Sequence, residues 1–141
     1  MSWDLLLLQL PADVGSVSEL PDDHRPEPLG RQAEVLSALR SRIPAVDLTD
    51  PTWGQIAGEF WSIELNIGRA DPVESIMLHV RGAGDEALPE IFRIAAAVNC
   101  RIVDCSGGDL LTPDDTANWH AFQQYRDHAA DAAYSPGDAN R

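Results

Sequence analysis

Glu64 and His79 come nearest, by residue type and setting, to doing chemistry. Each falls on the polar side of an alternating stretch: Ser62, Glu64 and Asn66 against Ile63, Leu65 and Ile67, and Met77, His79 and Arg81 against Ile76, Leu78 and Val80. Such alternation is the mark of a strand with one buried face. Paired as a hairpin, the two stretches set the carboxylate opposite or diagonal to the imidazole, with Ser62 and Arg81 beside them. A carboxylate that orients an imidazole begins an acid–base pair, but catalysis also needs concavity and a nucleophile or metal, and a flat sheet supplies neither. Opposite charges across a strand pair are also an ordinary stabilising device, contributing about 0.2–1 kcal/mol. A small enzyme using Glu64 and His79 therefore ranks third among the readings below, and no catalytic residue is assigned.

Residue type removes most other chemistries. All ten basic residues are Arg, and without Lys there is neither a P-loop nor a Schiff base. The run Asp104-Cys105-Ser106-Gly107-Gly108 lacks the spacing of a nucleophile elbow. Ser106-Gly107-Gly108-Asp109 has the amides to cradle an anion, but Asp104, Asp109, Asp114 and Asp115 repel one, so it reads as a turn. Those acids also lack the alternating spacing of a calcium loop. His24, His79, His120 and His128 form no metal set, since His120 and His128 are too far apart on one helix for adjacent-turn ligation. Cys100 and Cys105 are not at a zinc spacing and are expected as free buried thiols. No metal and no cofactor is assigned.

The chain has 141 residues, 44% of them apolar, which is the size and composition of one folded domain. Its formal net charge is −13. Such a surface repels phosphate backbones and anionic membrane and attracts basic proteins, although charge alone speaks only to solubility and association. Asp4 interrupts the start and residues 5–8 are too short for a signal h-region, so a cytoplasmic location is expected. No stretch approaches membrane-spanning length.

The elements that position Glu64 and His79 follow from the same patterns. Residues 3–10 read as a strand, apolar on both faces over 5–8 and so inside the sheet, with part of its second face covered. Residues 11–28, with Pro11, Pro21, Pro26 and Pro28, read as a long acidic loop of the kind that is often functional. A helix is expected over 30–43, with Val35, Leu36, Leu39 and Ile43 inward and Pro44 closing it. Two linked hairpins follow over 53–81. Gly58-Glu59 fits a two-residue turn that puts Ala57 opposite Phe60 and Ile56 opposite Trp61. A second helix ends near Asn99, with Leu88, Ile91, Phe92, Ala95 and Val98 inward. Residues 101–105 form a short strand. Thr112-Pro113-Asp114-Asp115 is a strong helix start, so a C-terminal helix is expected over 113–133, ahead of a polar tail at 135–141. The fold class is α+β: a single-domain sandwich over 1–134, with a mixed, mostly antiparallel sheet of about five strands in the order β-α-β-β-β-α-β-α. Two helices lie on one face. Exchange of the last helix with a second copy would make a homodimer.

The segments Met1-Ser2-Trp3-Asp4, Pro21-Asp22-Asp23 with Pro26-Glu27-Pro28-Leu29-Gly30, Asp50-Pro51-Thr52-Trp53-Gly54 and His79-Val80-Arg81-Gly82 resemble a group of small acidic bacterial proteins without an assigned activity. The resemblance covers about residues 1–112. In organisation the group is similar to the small α+β immunity proteins that accompany bacterial toxins. It carries over neither an activity nor a site.

A binding face is the leading candidate site. Trp53 and Met77 sit on the polar side of the hairpins within a rim of Gln55, Glu64, Asn66, His79 and Arg81, the aromatic-centre and polar-rim makeup of an interface. Asp22 and Asp23 join them from the acidic loop. The competing arrangement lays the C-terminal helix over this face, with Trp119 and Phe122 against Trp53. The function expected is an immunity-type inhibitor of a basic toxin or effector protein. The alternative is a homodimeric adaptor.

Overall fold

A computed structural model describes residues 1–133, with side chains through Asp127. The tail expected at 135–141 and the side chain of His128 lie outside the described residues.

The chain is α+β, with strands β1 (Trp3–Leu8), β2 (Trp53–Ala57), β3 (Trp61–Asn66), β4 (Ile76–Gly82), β5 (Arg101–Asp104) and β6 (Leu110–Leu111). Helices α1 (Gln32–Arg42), α2 (Ala87–Ala97) and α3 (Ala117–Ala133) are set among them. The six strands form one sheet in the order β2-β3-β4-β1-β5-β6, and every pairing is antiparallel. That is one strand more than the sequence patterns suggest. The extra one, β6, is only two residues long and exists because Leu110 and Leu111 pair with Val103 and Ile102.

The apolar strand β1 is central, flanked by β4 and β5. On one face Leu5, Leu7, Ile63, Leu65, Ile76, Leu78 and Val80 are fully buried, in one cluster with Leu36 and Leu39 of α1 and Ile91 and Ile94 of α2. Phe92, expected inward, is only half-buried at the edge of this cluster. Truncating Leu78 to Ala is expected to cost about 2–5 kcal/mol in urea denaturation, the range for emptying a well-packed core site. A loss under about 1 kcal/mol would mean that the face is not the core.

Two local expectations are corrected. In the β2–β3 hairpin Ala57 faces Ser62 and Ile56 faces Ile63, two residues away from the two-residue turn inferred above. Trp61 pairs instead with Gly82, and the Ala83 amide donates to the Phe60 carbonyl at 2.8 Å, so the hairpin tip belongs to the β3–β4 ladder. Gly82 permits this close approach: its φ is +97°, and an added Cβ would run into the Phe60 carbonyl oxygen. A shift of two residues leaves every side chain on its expected face. The second correction concerns α3, which begins at Ala117 rather than at Pro113. Thr112 to Asp115 instead close a turn, the Asp115 amide donating to the Thr112 carbonyl at 3.0 Å. Pro at the second position suits such a turn as well as it suits a helix start. Once β6 pairs with β5, the chain must reverse there.

The first half of the 11–28 loop is pinned to the β5–β6 hairpin. Arg101 donates to the Pro11 and Val14 carbonyls at 2.5 and 2.7 Å, and the Leu110 amide donates to Gly15 at 3.1 Å. Beside it Val103 and Leu110, in register with Leu6 on the second sheet face, are buried. No helix among the described residues is long and apolar enough to cross a membrane.

Candidate functional site

Trp119 is fully buried and stacks on Trp3, ring centroids 5.2 Å apart. Trp3 belongs to the buried apolar cluster, so α3 lies on the same side of the sheet as α1 and α2. Trp119 Nε1 also donates to the Gly84 carbonyl at 3.1 Å, and Phe122 stacks on Trp119 at 5.8 Å. The arrangement in which Trp119 and Phe122 cover Trp53 is therefore overturned. Trp53 remains 39% exposed.

Cross-strand register brings the expected residues together. Trp53 faces Asn66, which faces Met77; Gln55 faces Glu64, which faces His79; and Ser62 faces Arg81. The side-chain partners, however, differ from the expected ones. Arg81 donates to Glu64 Oε1 at 2.5 Å, and His79 Nδ1 lies 2.8 Å from Asp4 Oδ1. The Glu64–His79 acid–base pair does not form, because β1 lies beside β4 and supplies His79 with a nearer carboxylate. Trp53 closes the group from the other side, its ring stacked on His79 with centroids 5.8 Å apart and planes inclined by 17°.

Asp4 is not among the site residues expected from the sequence. Its only signal there was a lone acid alternating with Trp3 and Leu5. Burial by itself would raise its pKa, but hydrogen bonds from Ser2 and His79 and the charges of His79 and Arg81 outweigh it and hold the carboxyl below its ordinary value. An ionised carboxylate only accepts, so His79 Nδ1 carries the proton in this pair. A depressed pKa adds stability that is complete above the ordinary carboxylate pKa and is lost as pH falls through the lowered one. Asp4→Asn is expected to lower stability at neutral pH and to flatten the loss below about pH 4, read from urea midpoints across pH. Parallel curves for the two proteins would remove Asp4 from this role.

Cys105 is exposed rather than buried, with Sγ 3.9 Å from Met77 Sδ on the same face. Burial and the Asp4 and Asp104 carboxylates raise its pKa, which keeps it a thiol and a poor nucleophile. Cys100 is pushed up to about 12 by burial. Both cysteines are free, as expected. Among the described residues no three His, Cys, Asp or Glu side chains gather as a metal would require.

Asp22 and Asp23 are exposed on a turn closed by the His24 amide donating to the Pro21 carbonyl at 3.0 Å. Both sheet edges are capped by the chain itself. Asp47 and Gln55 exchange backbone hydrogen bonds at 2.8 and 3.0 Å along β2, and Ser16 bridges to Asp109 beside β6. Added strands have little edge to pair with, so the face is the larger surface on offer.

No family model, curated protein or solved structure matches this chain. What the face can bind follows from its own chemistry: an exposed indole held against a hydrogen-bonded His–Asp pair, an Arg–Glu pair beside it, and amides at Gln55 and Asn66.

Proposed function

We propose that the chain is a protein-binding module, an immunity-type inhibitor that neutralises a basic bacterial toxin by covering it with the open sheet face. The observation that carries this reading is the uncovered Trp53, fixed by stacking on His79 at the centre of a polar rim. A rigid aromatic anchor within paired polar groups is the usual makeup of an interface hot spot. The net charge of −13 selects the partner's sign. A toxin that attacks nucleic acid is basic where it meets its substrate, and an acidic inhibitor fits that surface in the substrate's place.

The test is affinity capture from the host with the wild-type chain and with Trp53→Ala side by side, followed by kinetics on each purified binary complex. A stoichiometric basic partner that the variant fails to retain supports the reading. Self-association alone, seen by sedimentation, supports the homodimeric adaptor instead. Asp22→Asn with Asp23→Asn is expected to slow association at low ionic strength and to leave dissociation unchanged, because exposed loop charges act through steering. Association that does not respond to salt would sink the electrostatic half of the proposal.

A further inference from the structure

Beside Trp53 the loop 47–52 runs along β2, and the two enclose a recess of about 290 Å³ lined by Asp47, Thr49, Asp50, Trp53 and Gln55. Its chemistry is one-sided. Asp47 Oδ1 accepts from the Thr49 amide at 2.9 Å, and Asp50 Oδ1 accepts from the Thr52 amide and hydroxyl at 2.9 and 2.7 Å. Each carboxylate is thus oriented by one oxygen, and the second oxygen of each has no hydrogen-bond partner among the described residues. The Thr49 amide and side chain for Asp47, and chiefly the Thr52 side chain for Asp50, hold both carboxyls below their ordinary pKa, so they stay charged. Arg69 is near enough to favour the ionised form of Asp50, yet makes no ion pair with it among the described residues. The stack on His79 occupies one face of the Trp53 ring, and the residue remains 39% exposed.

We infer that this recess seats an arginine side chain of the protein partner, its guanidinium laid against the Trp53 indole and hydrogen-bonded to the free oxygens of Asp47 and Asp50. Guanidinium is the cation that both stacks on an aromatic face and donates in a plane to carboxylates. Charge complementarity names the occupant: two carboxylates and an indole line the recess, no basic side chain does, and the chain as a whole carries a net charge of −13. The inference rests on the partner reading above and adds which partner group enters and where.

The experiment is a titration of the full chain with Nα-acetyl-arginine amide, and separately with its neutral citrulline counterpart, followed by amide and indole proton–nitrogen spectra. The expected result is saturable millimolar shifts at Asp47, Thr49, Gln55 and the Trp53 indole with the arginine probe, and none with citrulline. Asp47→Asn and Asp50→Asn keep the oxygen that accepts from Thr49 or Thr52 and replace the free acceptor oxygen and its charge with an amide donor. Each is expected to weaken the probe about two- to fivefold, as is Trp53→Ala. Shifts spread evenly over the acidic surface, equal binding of citrulline, or wild-type affinity in all three variants would overturn the inference. Once a partner is in hand, the two readings separate. A complex weakened by Trp53→Ala but indifferent to the Asp variants leaves the face and removes the recess, whereas arginine binding without any protein partner leaves the recess and removes the inhibitor reading.

Discussion

Replacing Trp119 by Ala is expected to cost about 3–5 kcal/mol of stability, as large a loss as a single core truncation usually gives. The indole is fully buried, is stacked between Trp3 and Phe122, and donates to the Gly84 carbonyl. Its removal empties a cavity and leaves that carbonyl without its partner. It also opens Trp3, whose Nε1 donates at 3.1 Å to Asp104, the one buried charged side chain among the described residues. Among the described residues the Asp104 carboxylate is otherwise satisfied only by the Ser106 amide and hydroxyl, at 2.9 and 2.6 Å, so water reaching Trp3 loosens the β5–β6 turn as well. Urea denaturation monitored by far-ultraviolet dichroism measures this. Cutting the chain before Thr112 should act in the same direction. A cost below about 1 kcal/mol for Trp119→Ala would make α3 a peripheral strap, contrary to the stack it forms with Trp3.

The position of α3 was the part of the fold least legible in the sequence. By spacing in the sequence its apolar stripe is Phe122, Tyr125, Ala129 and Ala132, which is thin, and Tyr125 is 65% exposed. The helix is held instead by one large side chain, Trp119, and by polar ties from Gln123 to Gly84 and from Arg126 to Gly82. Periodicity does not register a helix docked by a single anchor. Alternation did disclose which residues of β3 and β4 point to the core, because period two survives any register that keeps the hairpin antiparallel. Strand neighbours were not legible. Nothing local in residues 3–8 says that β1 inserts between β4 and β5, and that insertion alone gives His79 to Asp4 and frees Glu64 for Arg81. The composition of the candidate face was therefore readable from the sequence, and its internal pairing was not.

Trp53→Ala is expected to weaken the proposed complex by about 2–4 kcal/mol, the range of a central aromatic anchor. That is about 30- to 1,000-fold in Kd. Most of the change should appear as faster dissociation, since truncating an anchor removes contact made after encounter and leaves the steering field untouched. The folded state should tolerate the substitution. Trp53 is 39% exposed and lies on the sheet face opposite the core, so its loss deprives His79 of a stacked neighbour without opening a core cavity. His79 keeps Asp4, and Glu64 keeps Arg81, so the rim stays in place. A normal denaturation midpoint together with a shortened residence time separates an interface role from a structural one. Unchanged affinity would move the binding surface off this face. A long residence time with slowed association would instead assign Trp53 to encounter, a role that an uncharged ring behind an acidic surface is poorly suited to fill.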